Sequence, residues 1–120
     1  SLEKKDPEHC LARILIGHQQ WGSFEFSGTE INLNLSGISA IPTDILGDSF
    51  DYVALGHIHR PQKICNSPII QYSGSPFHLR FGEKGARSIT MIEVDETDNS
   101  LCTSKISVPV FRDLIRLEID

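Results

Sequence analysis

At 120 residues, with 39% apolar and 22% charged side chains, the chain can form one modest domain with a core and has an ordinary globular composition. A net charge of −5 speaks against a surface that binds nucleic acid over its whole extent, and no apolar run reaches the length of a membrane span. Three widely spaced cysteines (Cys10, Cys65 and Cys102) form no CxxC pair and, being odd in number, no closed disulfide framework, so reduced thiols in a cytoplasmic protein are the simplest reading.

In chain order, residues 1–10 are a polar lead-in. The Ser1-Leu2 opening, without an initiator Met, is read as a cloning-derived or cut end of a longer protein. Leu11 to Ile16 is an apolar run predicted as a buried strand that stops at Gly17-His18. The segment from Trp21 to Glu30, rich in Gly and Ser, is predicted as loop. Ile31, Leu33 and Leu35 alternate with Asn32 and Asn34, the pattern of a half-buried strand. Pro42 to Leu46 predicts one helical turn stopped by Gly47. Tyr52 to Leu55 and Ile69 to Tyr72 are predicted buried strands, the latter ended by the turn Ser73-Gly74-Ser75-Pro76. Further strands are predicted over Ser88 to Val94, Cys102 to Val110 and Leu114 to Ile119, with a hairpin loop from Asp95 to Asn99. Long helical periodicity is missing, so the piece reads as mostly β.

The chemistry concentrates in "DYVALGHIHRPQ", Asp51 to Gln62. On an extended strand alternate residues share a face, so His57 and His59 are expected to point the same way where the strand leaves the core. Open α/β sheets place their ligands at that carboxyl end. Gly56 permits close approach to the backbone. "ILIGH" repeats the design with His18, and adjacent strands would bring the three histidines to one rim. A histidine at a strand end is commonly just a hydrogen-bonded surface residue; two copies of apolar run, Gly and His favour a metal site over that. Three imidazoles suit a zinc site with one open position, or half of a two-metal site completed by carboxylates. No acid of the chain sits at a comparable strand end, so a dinuclear site is not complete within the sequence. His9 is expected to be solvated, and His78 is read as the solvent-side residue of the alternation Phe77, Leu79, Phe81.

Charge is unevenly spread. Arg60, Lys63, Arg80, Lys84 and Arg87 face one acid, Glu83, so residues 60–87 carry +4 and the remainder −9. That segment predicts a local surface for an anionic ligand. Arg60, Ser73 and Ser75 are the candidate phosphate contacts, although Gly and Pro in the serine turn are also explained by backbone geometry alone.

The GHIH element, followed by "YSGSPFHLRFGE" and the closing "VPVFRDLIRLEID", resembles the calcineurin-like metallophosphoesterases, and within them the SbcD-type DNA-end-processing nucleases. The resemblance covers roughly residues 11–120, with residues 21–47 its least family-like part. It implies an α/β fold, the αββα metallophosphoesterase sandwich, of which this chain would be a β-rich C-terminal half over 11–110, with 111–120 starting the passage to a DNA-capping domain. It implies two divalent metals, usually manganese, with His18 and His57 matching ligands of one and His59 a ligand of the other. The family's Asp-x-His, Gly-Asp and Gly-Asn-His elements are not matched, so no catalytic residue is expected in this chain and the isolated chain is expected to be inactive. DNA and an SbcC-type coiled-coil ATPase are the implied partners of the parent protein. Uncovered sheet edges favour self-association of the piece. Two other readings stand beside this one: a phosphodiesterase acting on a small nucleotide or phosphoprotein, and a non-catalytic β-rich interaction module.

Overall fold

The computed structural model describes residues 10–23, 25, 40–79, 81, 83, 85–110, 114, 115 and 117. Six strands and one short helix are present among them. In order they are β1 (Ile14–His18), a single 3-10 turn (Thr43–Leu46), β2 (Tyr52–Gly56), β3 (Gln62–Asn66), β4 (Ile69–Tyr72), β5 (Ser88–Val94) and β6 (Leu101–Ser107). The first four strands form a sheet in the order β1-β2-β4-β3, and β5 and β6 form a separate hairpin. No helix among the described residues is long and apolar enough to cross a membrane.

The pairings follow from the sequence pattern. β2 is an apolar run and β4 is apolar but for the buried Gln71, as expected of strands with neighbours on both sides. β2 runs parallel to β1, with Leu15 opposite Val53 and His18 opposite Gly56. It also runs parallel to β4, with Val53 opposite Ile70 and Leu55 opposite Tyr72. Side chains that share a register and a face then stack into one core: Val53, Leu55, Ile70 and Tyr72, joined by Trp21, Leu46 and Ile58 and flanked by Leu15 and Ile64. β3 closes the far edge antiparallel to β4. The hairpin turn between β5 and β6 is held by Asp95, whose side chain accepts from Thr97, and by Asn99, whose amide donates to the Asp95 carbonyl. These Thr97 contacts, side chain first, hold the Asp95 carboxyl below the usual range.

Several expectations are corrected. The first strand begins at Ile14, not Leu11, and includes His18. It is not buried: Ile16 is 82% exposed, because among the described residues β1 is an edge strand whose outward face nothing covers. β3 was not anticipated, since "QKICN" is too polar to read as a strand and forms by pairing with β4. Trp21 lies in the core rather than in a loop, its amide donating to the Tyr72 hydroxyl at 2.7 Å. β6 ends at Ser107, short of Val110. Leu114, Ile115 and Leu117 are not in a strand; the rest of that predicted element, the predicted strand from Ile31 to Leu35, and His9 lie outside the described residues.

Tyr72 joins the core to the segment after β1. Its hydroxyl accepts from Trp21 and donates to the Gln19 carbonyl at 3.0 Å. Burial raises its pKa above the ordinary 10.0, against the lowering effect of the Trp21 amide, and burial raises Tyr52 likewise. Both phenols therefore hold their protons more tightly folded than unfolded. The stability this confers is complete below the unfolded value of 10.0 and is lost as pH rises through the folded values. The urea midpoint is expected to fall as pH rises above about 10, and the combined change Tyr52→Phe, Tyr72→Phe should flatten that fall. An equally steep decline in the double variant would mean other groups drive it.

Candidate functional site

All three parallel strands point their carboxyl ends at one rim. β1 ends in His18, β2 runs into His57, and β4 runs into the Ser73-Gly74-Ser75 turn. This is the position at which open α/β sheets expose groups to ligands, since side chains there leave the packed core while their backbone remains rigidly paired.

The rim is built by close fits. The His18 and His57 rings meet edge to face with centroids 5.6 Å apart. Gly56 makes this possible: a Cβ at that position would lie 2.7 Å from His18 Nδ1. The side-chain amide of Gln20, a buried residue, lies 3.4 Å from His57 Nε2. The backbone of Gln20 is held in turn by the Ile41 amide donating to its main-chain carbonyl at 2.8 Å.

His57 departs from the strand geometry expected of it. β2 ends at Gly56, and His57 has φ 88°, a conformation that costs a non-glycine residue about 1–3 kcal/mol and tends to persist at functional sites. The alternation that would aim His57 and His59 in one direction therefore stops at Gly56. Ile58 between them is 1% exposed and anchors the segment in the core. His57 turns toward His18, whereas His59 Nδ1 lies 2.8 Å from Glu83 Oε1. Among the described residues no group of three or more His, Cys, Asp or Glu side chains comes together around one point.

The serine turn is locked onto the histidine segment. Gly74, at φ 78°, packs against Pro61 and the His59 carbonyl; a Cβ there would lie 2.8 Å from Pro61 N. The Ser73 amide donates to the Leu55 carbonyl and the Ser75 amide to the His59 carbonyl. The Ser75 hydroxyl donates to the Phe77 carbonyl at 2.6 Å. Both Ser75 donors are thus engaged, the amide with His59 and the hydroxyl with Phe77.

Among the described residues, the cations of the basic segment do not gather on one face. Arg87 is buried and paired with Glu83, Nη2 to Oε2 at 2.8 Å. Exposed Arg60 is paired with Glu25. Lys63 is exposed on β3, and Arg80 and Lys84 lie outside the described residues. His78 is the reverse of its predicted orientation: both its ring nitrogens are shielded from solvent, while Phe77 and Leu79 are 59% and 47% exposed. The segment after Pro76 is not a strand, so period-two reasoning does not apply to it. Sequence reasoning did not single out Gln20 or Glu83 as site residues. Gln20 carries no pattern signal, and Glu83 stands out only as the one acid in a basic stretch.

Two imidazoles, those of His18 and His57, thus stand together at the carboxyl rim of the parallel strands. No family model matches the chain. It is, however, similar to the curated SbcD subunits of SbcCD nucleases. It is 35% identical over 74 residues to the SbcD subunit of Rhodobacter capsulatus, covering 61% of this chain and 18% of that protein. To the SbcD subunit of Bacillus subtilis it is 37% identical over 83 residues, 68% of this chain and 21% of the relative. To that of Escherichia coli K12 it is 34% identical over 70 residues, 58% and 18%. The resemblance to SbcD-type nucleases is thus supported by several curated relatives, and the chain spans about a fifth of the length of those it matches.

Two glycines test the rim geometry. Gly74→Ala places a Cβ against backbone at positive φ and is expected to cost about 1–3 kcal/mol in chemical denaturation. Gly56→Ala meets only the flexible His18 ring. It is expected to cost less than about 1 kcal/mol, while abolishing the nuclear Overhauser contact between the His18 and His57 ring protons. A retained contact in Gly56→Ala would show that the pair does not depend on the missing side chain.

Proposed function

We propose that the chain is part of the phosphoesterase domain of a metal-dependent DNA nuclease of SbcD type, acting on phosphodiester bonds at DNA ends in the cytoplasm. In this reading residues 11–110 are the C-terminal half of an αββα sandwich, and 111–120 lead toward a capping domain. The observation that carries it is the juxtaposition of His18 and His57 at the carboxyl rim, in a sequence 34–37% identical to SbcD subunits.

The donors present suit divalent cations, since neutral imidazole nitrogens accept manganese or zinc. His18 and His57 would hold one cation and His59 a second. When bound, such a pair polarises a phosphodiester and activates a water molecule. The chain's own residues hold that arrangement rigid. Gly56 seats the His18 ring, Ile58 fixes the His57–His59 segment in the core, and Gly74 braces its carbonyl. Arg60 and the Ser73 hydroxyl are the proposed phosphate contacts, sequence-independent and salt-sensitive. Three neutral imidazoles do not offset the repulsion between two dications, so carboxylates from the rest of the parent protein are needed and the isolated chain is inactive. The relatives are named as subunits of a two-part nuclease, SbcCD, which supports an SbcC-type ATPase as the parent's partner.

In the full-length parent, His18→Ala, His57→Ala and His59→Ala are each expected to lower manganese-dependent degradation of linear DNA by more than about tenfold. Circular dichroism should stay unchanged, because rim histidines contribute little to the core. Near-normal activity of the His57→Ala parent, or robust metal-dependent cleavage by the 120-residue chain, would overturn the assignment. Turnover of small nucleotide diesters without DNA cleavage would favour a small-substrate phosphodiesterase instead.

A further inference from the structure

The most heavily buried charged cluster of the described residues lies beside the rim. Glu83 has a side chain only 1% exposed, and Arg87 one 5% exposed. The two Glu83 carboxylate oxygens are divided between tasks. Oε2 accepts from Arg87 Nη2 at 2.8 Å and from the Leu79 amide at 3.2 Å. Oε1 is aimed at His59 Nδ1, 2.8 Å away. A buried carboxylate held by a guanidinium stays ionised and is an acceptor only. The proton of that bond therefore sits on His59 Nδ1, in the neutral ring and in the protonated ring alike. In the neutral ring the lone pair is then on Nε2.

We propose that Glu83 is a positioning residue for His59: anchored by Arg87 and the Leu79 amide, it fixes the ring's orientation and tautomer so that Nε2 is the nitrogen presented to a divalent cation. Fixing the second nitrogen of a ligating histidine through a carboxylate raises its basicity and removes the cost of orienting it. This explains why a buried acid occurs alone within a basic stretch. It also explains why the pair Glu83–Arg87 is buried, although an ion pair serving stability alone gains little from burial. The inference rests on the proposed metal-binding role of His59.

The test uses the 120-residue chain with nitrogen-15 histidine labels and manganese chloride alone as the probe. Long-range imidazole spectra without metal report the tautomer. Paramagnetic broadening during manganese titration reports affinity at each ring. Wild type should show His59 protonated at Nδ1. Glu83→Gln should shift His59 toward the Nε2-protonated form and weaken manganese broadening of its ring about tenfold to a hundredfold, leaving His18 and His57 less affected. If Glu83→Gln loses the dispersed amides of β2 and β4, Glu83→Asp decides: it keeps the charge for Arg87 but withdraws it from His59, and should give the same tautomer change. Unchanged tautomer and affinity in a folded variant would overturn the positioning role. No broadening of any histidine in wild type would show that the chain binds manganese only with the parent's carboxylates, and the metal-free tautomer of His59 in wild type and Glu83→Gln then decides the positioning role alone.

Discussion

Everything at the rim depends on β2 being a parallel strand locked between two others. Its pairing with β1 and β4 puts three carboxyl ends at the same level, so groups distant in sequence arrive together without any contact of their own to bring them. The driving force is burial of the face shared by Val53, Leu55, Ile70 and Tyr72. At roughly 25 cal/mol per Å² of apolar surface, each such side chain contributes about 1.5–3 kcal/mol. That is enough to hold a positive-φ histidine and a crowded glycine turn in place next to it.

The rim itself is divided. One half is the edge-to-face pair of His18 and His57, built on close approach to Gly56 and backed by Gln20. The other is His59, drawn away toward a buried carboxylate and guanidinium. Ile58 separates them as a wedge in the core. The division arises from the positive-φ backbone at His57 rather than from side-chain choice.

Much of this was legible in the sequence, for identifiable reasons. β2 and β4 announced themselves because parallel central strands are rich in apolar residues, and the turns after them carry glycine and proline. Histidines following such strands could be placed at the rim from order alone. What could not be read were features created by long-range contact. β3 is polar and exists because β4 offers an edge. Trp21 looks like part of a loop until Tyr72 captures its amide. The period-two rule failed twice, at His57 and at His78, in both cases because the residue lies beyond its strand. The partnership of Glu83 with His59 spans 24 positions and two intervening strands, a long-range contact that no local periodicity betrays.

The capture of Trp21 has a further consequence. It is the chain's one tryptophan, so the entire indole emission originates beside the Tyr72 hydroxyl, on the segment that follows His18 directly. A ring seated in the core emits at shorter wavelength than one in water, and only that position contributes. Fluorescence of the unlabelled chain is therefore a local optical readout of the junction between core and rim. Because a tyrosinate absorbs in the region of indole emission, ionisation of Tyr72 would quench the signal from within, and loss of the fold would shift it in colour instead.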